Sequence, residues 1–92
     1  MHIDNYITRL GTEFTFGFQK QGENYEVLIL DQPGYGSRSD DAHITHRNTS
    51  GADRSICWTG AMPTLEEAKR IAGLWADLTE KYILTGEPFP ES

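Results

Sequence analysis

The most regular pattern of apolar and polar positions in the chain runs from Thr64 to Leu84. Apolar residues recur there at steps of three and four, which places them on one face of an α-helix: Leu65, Ala68, Ile71, Ala72, Trp75, Leu78 and Tyr82. Thr64 and Glu67 have the spacing of a capping box, and Gly86 follows the last periodic residue. The pattern predicts a helix over residues 64–85 with one face against a core.

A second pattern, between residues 13 and 19, has the period of a half-buried strand. Its apolar positions are Phe14, Phe16 and Phe18, which would point to one side. We expect that side to lie under the helix, close to Trp75. A hairpin loop with Gly22 at a position of positive φ then leads to residues 25–31, which are apolar on both faces as in a central strand.

Residues 42–47 and 54–59 also have strand character, and they flank a cluster of turn residues at 48–53. If these two strands pair as a hairpin, alternate side chains point away from the helix. They would form a polar outer face of the sheet, made of His43, Thr45, Arg47, Ser55, Cys57 and Thr59.

These elements predict a single α+β domain over residues 1–92. In it an antiparallel four-stranded meander, residues 12–60, packs in two layers on the C-terminal helix. Residues 1–11 fit either a short helical turn or an edge strand. The tail, residues 86–92, is extended because it contains Pro88 and Pro90.

The charge balance changes which partners are expected. The chain has 14 acidic and 8 basic residues, a net charge of −6, spread evenly along its length. This excess disfavours direct binding to nucleic acid and favours a basic protein partner. No apolar run approaches the length that spans a bilayer, the N-terminus lacks the features of a signal peptide, and Cys57 has no cysteine to pair with. We therefore expect a cytoplasmic protein that does not bind membranes.

The sequence contains no complete catalytic set. One cysteine and three histidines are too few for a zinc site, so neither a metal nor another cofactor is expected. The loop over residues 32–41 has two residue types that are enriched in binding hot spots, Tyr35 and Arg38, and it is the predicted contact with a partner. Its glycines are equally compatible with an anion site or with a solvated connection.

Part of the chain resembles the antitoxin domain of the HicB family. The segments that carry the resemblance are YEVLILD at residues 25–31, QPGY at 32–35 and TLEEA at 64–68, in that order. The resemblance implies a sheet-plus-helix domain that neutralises a protein partner. This sequence departs from the family pattern by placing two further strands between the Pro-Gly turn and the helix, and no site residue is carried over.

Two functions follow as expectations. The first is a small acidic module that binds and inhibits a basic, nucleic-acid-processing protein, as an antitoxin or a phage inhibitor does. The alternative is a protein, with enzymatic activity left open, that binds a small ligand such as a phosphate or nucleotide on a face made of His43, Thr45, Arg47 and Cys57, with Arg38 above it. A homodimer formed through the sheet edges is compatible with either function.

Overall fold

A computed structural model describes residues 1–48 and 54–90 of the chain. Within these ranges, one antiparallel sheet of five strands has the order β1-β2-β3-β5-β4. The elements in chain order are β1 (His2–Ile7), β2 (Glu13–Gln21), β3 (Asn24–Asp31), α1 (Ala42–Thr45), β4 (Arg47–Asn48), β5 (Arg54–Ile56) and α2 (Leu65–Thr85). Because α2 covers one face of the sheet, the domain is α+β with a long C-terminal helix, as the sequence predicts.

The core lies between β2 and α2. Phe14, Phe16 and Phe18 are all buried on the helix side of the sheet. The ring centroids of Phe14 and Phe16 each lie 6.0 Å from that of Trp75, at interplanar angles of 84° and 80°. These edge-to-face arrangements are favourable for aromatic pairs. The predicted contact between the phenylalanine strand and the helix is therefore confirmed.

Both ends of α2 are formed by the residues that the sequence indicates. The Thr64 side-chain oxygen accepts a hydrogen bond from the Glu67 N–H at 3.1 Å. At the other end Gly86 has φ 77°, and its N–H donates to the carbonyl of Tyr82. A left-handed residue at this position closes a helix, and glycine adopts that conformation without strain. In the part of the chain that the structure describes, neither helix combines the length and the apolarity that crossing a membrane requires.

The N-terminal segment is an edge strand, one of the two alternatives that the sequence left open. β1 pairs with β2 along its whole length, from His2 opposite Phe18 to Ile7 opposite Glu13. Within the described residues, the sheet therefore has five strands instead of the predicted four.

Side chains that point to the helix side attach β1 to α2. The Tyr6 hydroxyl donates to the Asp77 carboxylate at 2.9 Å. Partial burial, together with the bond to Asp77, raises the pKa of Tyr6, so the hydroxyl remains a donor at neutral pH. Lys69 on the helix lies 3.2 Å from the Asp4 carboxylate, and this contact lowers the pKa of Asp4.

The prediction of a strand over residues 42–47 is wrong. Residues 42–45 form the short helix α1 because the side chain of Asp41 accepts the N–H of His43, and the Asp41 carbonyl accepts the N–H of Thr45. His46 ends this helix with φ 54°.

The strands next to α1 are shorter than predicted, and their order is different. In the described part of the chain, β4 covers Arg47–Asn48, and β5 ends at Ile56, which leaves Trp58 42% exposed. β5 also lies between β3 and β4, so the last two strands do not follow the chain order that a meander requires. The turn predicted at residues 48–53 falls almost wholly on 49–53, which lie outside the described residues.

Among the described residues, one buried hydroxyl in α2 has no hydrogen-bond partner. Thr79 is fully buried in the middle of the helix, and its hydroxyl makes no hydrogen bond within the described ranges. We expect Thr79→Val to raise the free energy of unfolding by about 1–2 kcal/mol, because valine keeps the shape and removes an unsatisfied buried hydroxyl.

Urea denaturation monitored by circular dichroism measures this change. The matched control is Thr85→Val at the exposed end of the same helix, where the hydroxyl bonds the Lys81 carbonyl and accepts the Glu87 N–H. The control is expected to give no stabilisation. A Thr79→Val variant no more stable than the native chain would contradict the prediction.

Candidate anion-binding cleft

An open cleft of about 340 Å³ lies where the loop after β3 meets the starts of β4 and β5. Its lining is mostly polar and glycine-rich, and consists of Gln32, Pro33, Gly34, Tyr35, Gly36, Arg38, Asp40, Arg47 and Arg54. Three of these residues are arginines and one is an aspartate. The cleft therefore has a positive local charge in a chain whose net charge is −6.

Arg47 forms the fixed part of the cleft. It is only 6% exposed, and three of its N–H groups are bonded inside the protein. Nε donates to the Thr45 hydroxyl at 3.1 Å, Nη1 to the Gln32 side-chain oxygen at 3.1 Å, and Nη2 to the Asp40 carbonyl at 3.2 Å. These bonds hold the planar guanidinium in one orientation, and among the described residues the other two of its five N–H donors have no partner.

The position of Arg47 is set by the protein core. Thr45, which accepts the Arg47 Nε–H, is fully buried, and its own hydroxyl donates to the Asp41 carbonyl. The Thr45 carbonyl accepts a hydrogen bond from the indole N–H of Trp75 at 3.1 Å. A continuous chain of contacts therefore joins the aromatic core to the cleft.

The buried charge of Arg47 has no acidic partner among the described residues. No carboxylate in residues 1–48 or 54–90 lies within 4.0 Å of its guanidinium, since the ion pairs found there involve other bases. Buried charges in proteins are usually paired, because removing an ion from water is unfavourable. The centroid of the Tyr35 ring lies 4.9 Å from Arg47 Cζ. This ring and the three hydrogen bonds to neutral acceptors compensate only in part for the hydration that the buried guanidinium loses.

Tyr35 and Arg38, the predicted partner contacts, are anchored to the body of the protein. The Tyr35 ring packs 6.0 Å from that of Tyr82, and its buried hydroxyl has no partner within the described ranges. Arg38 Nε donates to the carbonyl of Ile83 at 3.3 Å, and Nη2 to that of Leu84 at 3.5 Å. Part of the Arg38 side chain therefore satisfies the C-terminal carbonyls of α2.

Arg54 differs from the other two arginines. It is exposed at the start of β5, and its side chain makes no hydrogen bond or ion pair within the part of the chain that the structure describes. Among the described residues, its guanidinium has no hydrogen bond or ion pair that would have to break for it to turn towards a ligand.

The polar outer face predicted from the sequence does not form. Of its proposed ligand-binding residues, the structure brings Thr45 and Arg47 together, but on the buried side of the sheet. His43 is exposed on α1, because a helical turn replaces the expected strand. Cys57 is exposed beyond the end of β5, where its N–H donates to the carbonyl of His46.

The described part of the chain contains no cluster of side chains that could hold a metal ion. Within it, no three histidine, cysteine, aspartate or glutamate side chains come together as metal ligands. Arginine side chains repel cations, so the cleft itself is suited to an anion.

Sequence reasoning missed Gln32, Asp40 and Arg54 as lining residues. A signal for the arginines was present, however. Arg38, Arg47 and Arg54 are the only basic residues between Lys20 and Lys69 in an otherwise acidic stretch. Comparisons of this chain with profiles of known protein families, with curated proteins and with solved structures give no significant match.

Proposed function

We propose that this protein is a small anion-binding module whose cleft takes a phosphate or carboxylate group of a small ligand. The observation that carries the proposal is the buried guanidinium of Arg47. Among the described residues, two of its N–H donors have no partner and no carboxylate lies within 4.0 Å of it. An anion in the cleft would supply a countercharge to the Arg47 guanidinium. It would also accept charge-assisted hydrogen bonds, which are roughly twice as strong as neutral ones.

The three arginines support different parts of this function. Arg47 is pre-oriented by its internal hydrogen bonds, so little conformational freedom is lost when it binds a ligand. Arg54 at the rim adds an adjustable positive charge. Arg38 contributes positive charge at the cleft while its Nε–H and one Nη2–H remain bonded to the helix end. A phosphate group fits this set well, because several oxygens can accept from several donors at once.

Replacing Arg54 with glutamine is expected to weaken phosphate binding by at least about tenfold, since one charge-assisted contact is worth about 1.5–3 kcal/mol. Isothermal titration of the purified protein with inorganic phosphate measures the affinity. Amide shifts of Gly34 and Gly36 in nuclear magnetic resonance spectra locate the binding. Stability is expected to stay the same, because Arg54 is exposed.

The matched control is Arg70→Gln, the same substitution at an exposed position of α2 outside the cleft. It is expected to leave phosphate affinity within twofold, because its charge is screened by solvent and salt. Equal losses in the two variants would show that phosphate responds only to overall charge. Saturable binding that is unchanged in Arg54→Gln would place the anion elsewhere and contradict the proposal.

A second candidate is the acidic module that binds and inhibits a basic, nucleic-acid-processing protein in the cytoplasm. One observation favours it. Three of the eight basic residues line the cleft, so the surface outside it is more acidic than the net charge of −6 suggests. The resemblance to the HicB-like antitoxin domain points in the same direction. In this function Tyr35 and Arg38 border the contact, and the acidic surface supplies most of the attraction.

The Arg54→Gln variant also separates the two candidates. Capture of a basic protein by an acidic surface does not depend on Arg54, and removing that positive charge would leave it unchanged or slightly stronger. Anion binding in the cleft depends on Arg54 directly.

A further inference from the structure

Strand β1 forms a long edge of the sheet that no described residue covers. β1 and β4 are the outer strands among the described residues, where β1 covers His2–Ile7 and β4 covers Arg47–Asn48. β1 pairs with β2 on one side, and no described residue pairs with it on the other. An outer strand of this length leaves a row of backbone N–H and C=O groups that can pair with another strand.

The side chains of β1 give this edge little protection beyond one contact, in which the Asp4 carboxylate accepts the Asn5 N–H at 3.1 Å. The strand contains no proline or lysine, which are common edge-blocking residues. Its one acidic residue, Asp4, points to the helix side and is countered by Lys69 at 3.2 Å. On the outer side, Ile3 and Ile7 are 59% and 55% exposed. The edge is therefore locally neutral and apolar in an acidic protein.

We propose that β1 pairs antiparallel with β1 of a second copy of this chain, centred on Asn5. In this register Ile3 of each copy lies opposite Ile7 of the other, and Asn5 lies opposite its own counterpart. The two sheets join into one, and both helices lie on the same face. The contact is isologous, which is the usual symmetry of a homodimer.

Neighbouring registers are less favourable. Centring the pair on Asp4 would place two carboxylates opposite each other and leave each Ile3 opposite an asparagine, and like charges in direct opposition are destabilising. Sliding one strand by a single residue from the Asn5-centred register would place the isoleucines of one copy on the same side of the joined sheet as Tyr6 of the other. The two helices would then lie on opposite faces. The Asn5-centred register pairs apolar with apolar side chains and keeps Asp4 away from its counterpart.

The net negative charge of the chain opposes the proposed contact between two copies. Two copies with a net charge of −6 repel each other, so the dimer is expected to be weak at low ionic strength. Added salt screens this repulsion and should strengthen dimerisation.

A cysteine cross-link tests the register. In a Cys57→Ser background, which removes the single native thiol, Asn5→Cys places two thiols opposite each other across the proposed pair. Opposed residues of an antiparallel pair have Cα atoms about 4.5–5.5 Å apart, within the range of a disulfide. Under mild oxidation this variant should form covalent dimers roughly tenfold faster than Leu10→Cys in the same background, since pairing raises the effective concentration of the thiols.

Leu10 is a suitable control because it is 69% exposed and lies beyond the end of β1. A second measurement does not depend on a cross-link. Light scattering of the native chain at increasing protein and salt concentration should show a rise from monomer to dimer mass. Ile3→Lys combined with Ile7→Lys should abolish that rise.

Three outcomes would overturn the inference. One is a native chain that stays monomeric up to millimolar concentration in high salt. Another is equal cross-linking of the Asn5→Cys and Leu10→Cys variants. The third is a dimer that the two lysine substitutions do not weaken.

Discussion

Replacing Trp75 with alanine is expected to lower the free energy of unfolding by about 3–5 kcal/mol. The indole fills the space between β2 and α2, where it contacts the rings of Phe14 and Phe16. Its N–H also bonds the buried carbonyl of Thr45, which would lose its partner. A domain of this size is typically stable by roughly 5–15 kcal/mol, so a large part of the native stability would be lost.

Urea denaturation followed by circular dichroism measures this loss. Leu74→Ala is the control, because Leu74 is the adjacent helical residue and is exposed. It is expected to change the free energy of unfolding by less than about 0.5 kcal/mol. Similar losses in the two variants would show that Trp75 is not the centre of the core.

Replacing Arg47 with methionine is expected to have the largest effect on the cleft. Methionine fills much of the volume but supplies no donors, so the Gln32 side chain and the Asp40 carbonyl lose their partners. Removing a buried charge is favourable by itself, but the loss of three hydrogen bonds from a charged donor outweighs it. We expect a net destabilisation of about 2–4 kcal/mol and a loss of phosphate affinity of roughly a hundredfold or more.

The two effects are separated by measuring thermal unfolding with and without phosphate. A ligand that binds only the folded state raises the melting temperature, so phosphate should stabilise the native chain and not the Arg47→Met variant. Arg70→Met, at an exposed position on α2, should behave like the native chain. Full phosphate stabilisation of Arg47→Met would exclude Arg47 from the anion site, even if the variant is less stable.

The parts of the fold that the sequence predicted are those in which local and long-range preferences agree. The phenylalanine strand and α2 each repeat one period over many residues, and their apolar faces can be satisfied only by packing together. The hairpin loop was predictable because a tight turn needs a residue with positive φ, and Gly22 can supply it. The structure gives Gly22 φ 64°. These elements needed no knowledge of the rest of the chain.

The elements around the cleft could not be predicted in this way. Residues 42–47 are too short to show a period, and their conformation is decided by the side chain of Asp41 acting as a helix cap. The burial of Arg47 also contradicts the usual behaviour of arginine, which is rarely buried unless it is paired. Its partners come from Gln32, Asp40 and Thr45, and only the folded chain brings these together.

The attachment of the loop at 32–41 to the end of α2 has a consequence for local opening motions. Arg38 bonds the carbonyls of Ile83 and Leu84, and the Tyr82 hydroxyl bonds the carbonyl of Ser39 at 2.8 Å. The last turn of a helix usually frays independently of its surroundings. Here fraying would also release the loop, so amide protons of both segments should exchange with deuterium at a common rate, as one cooperative unit.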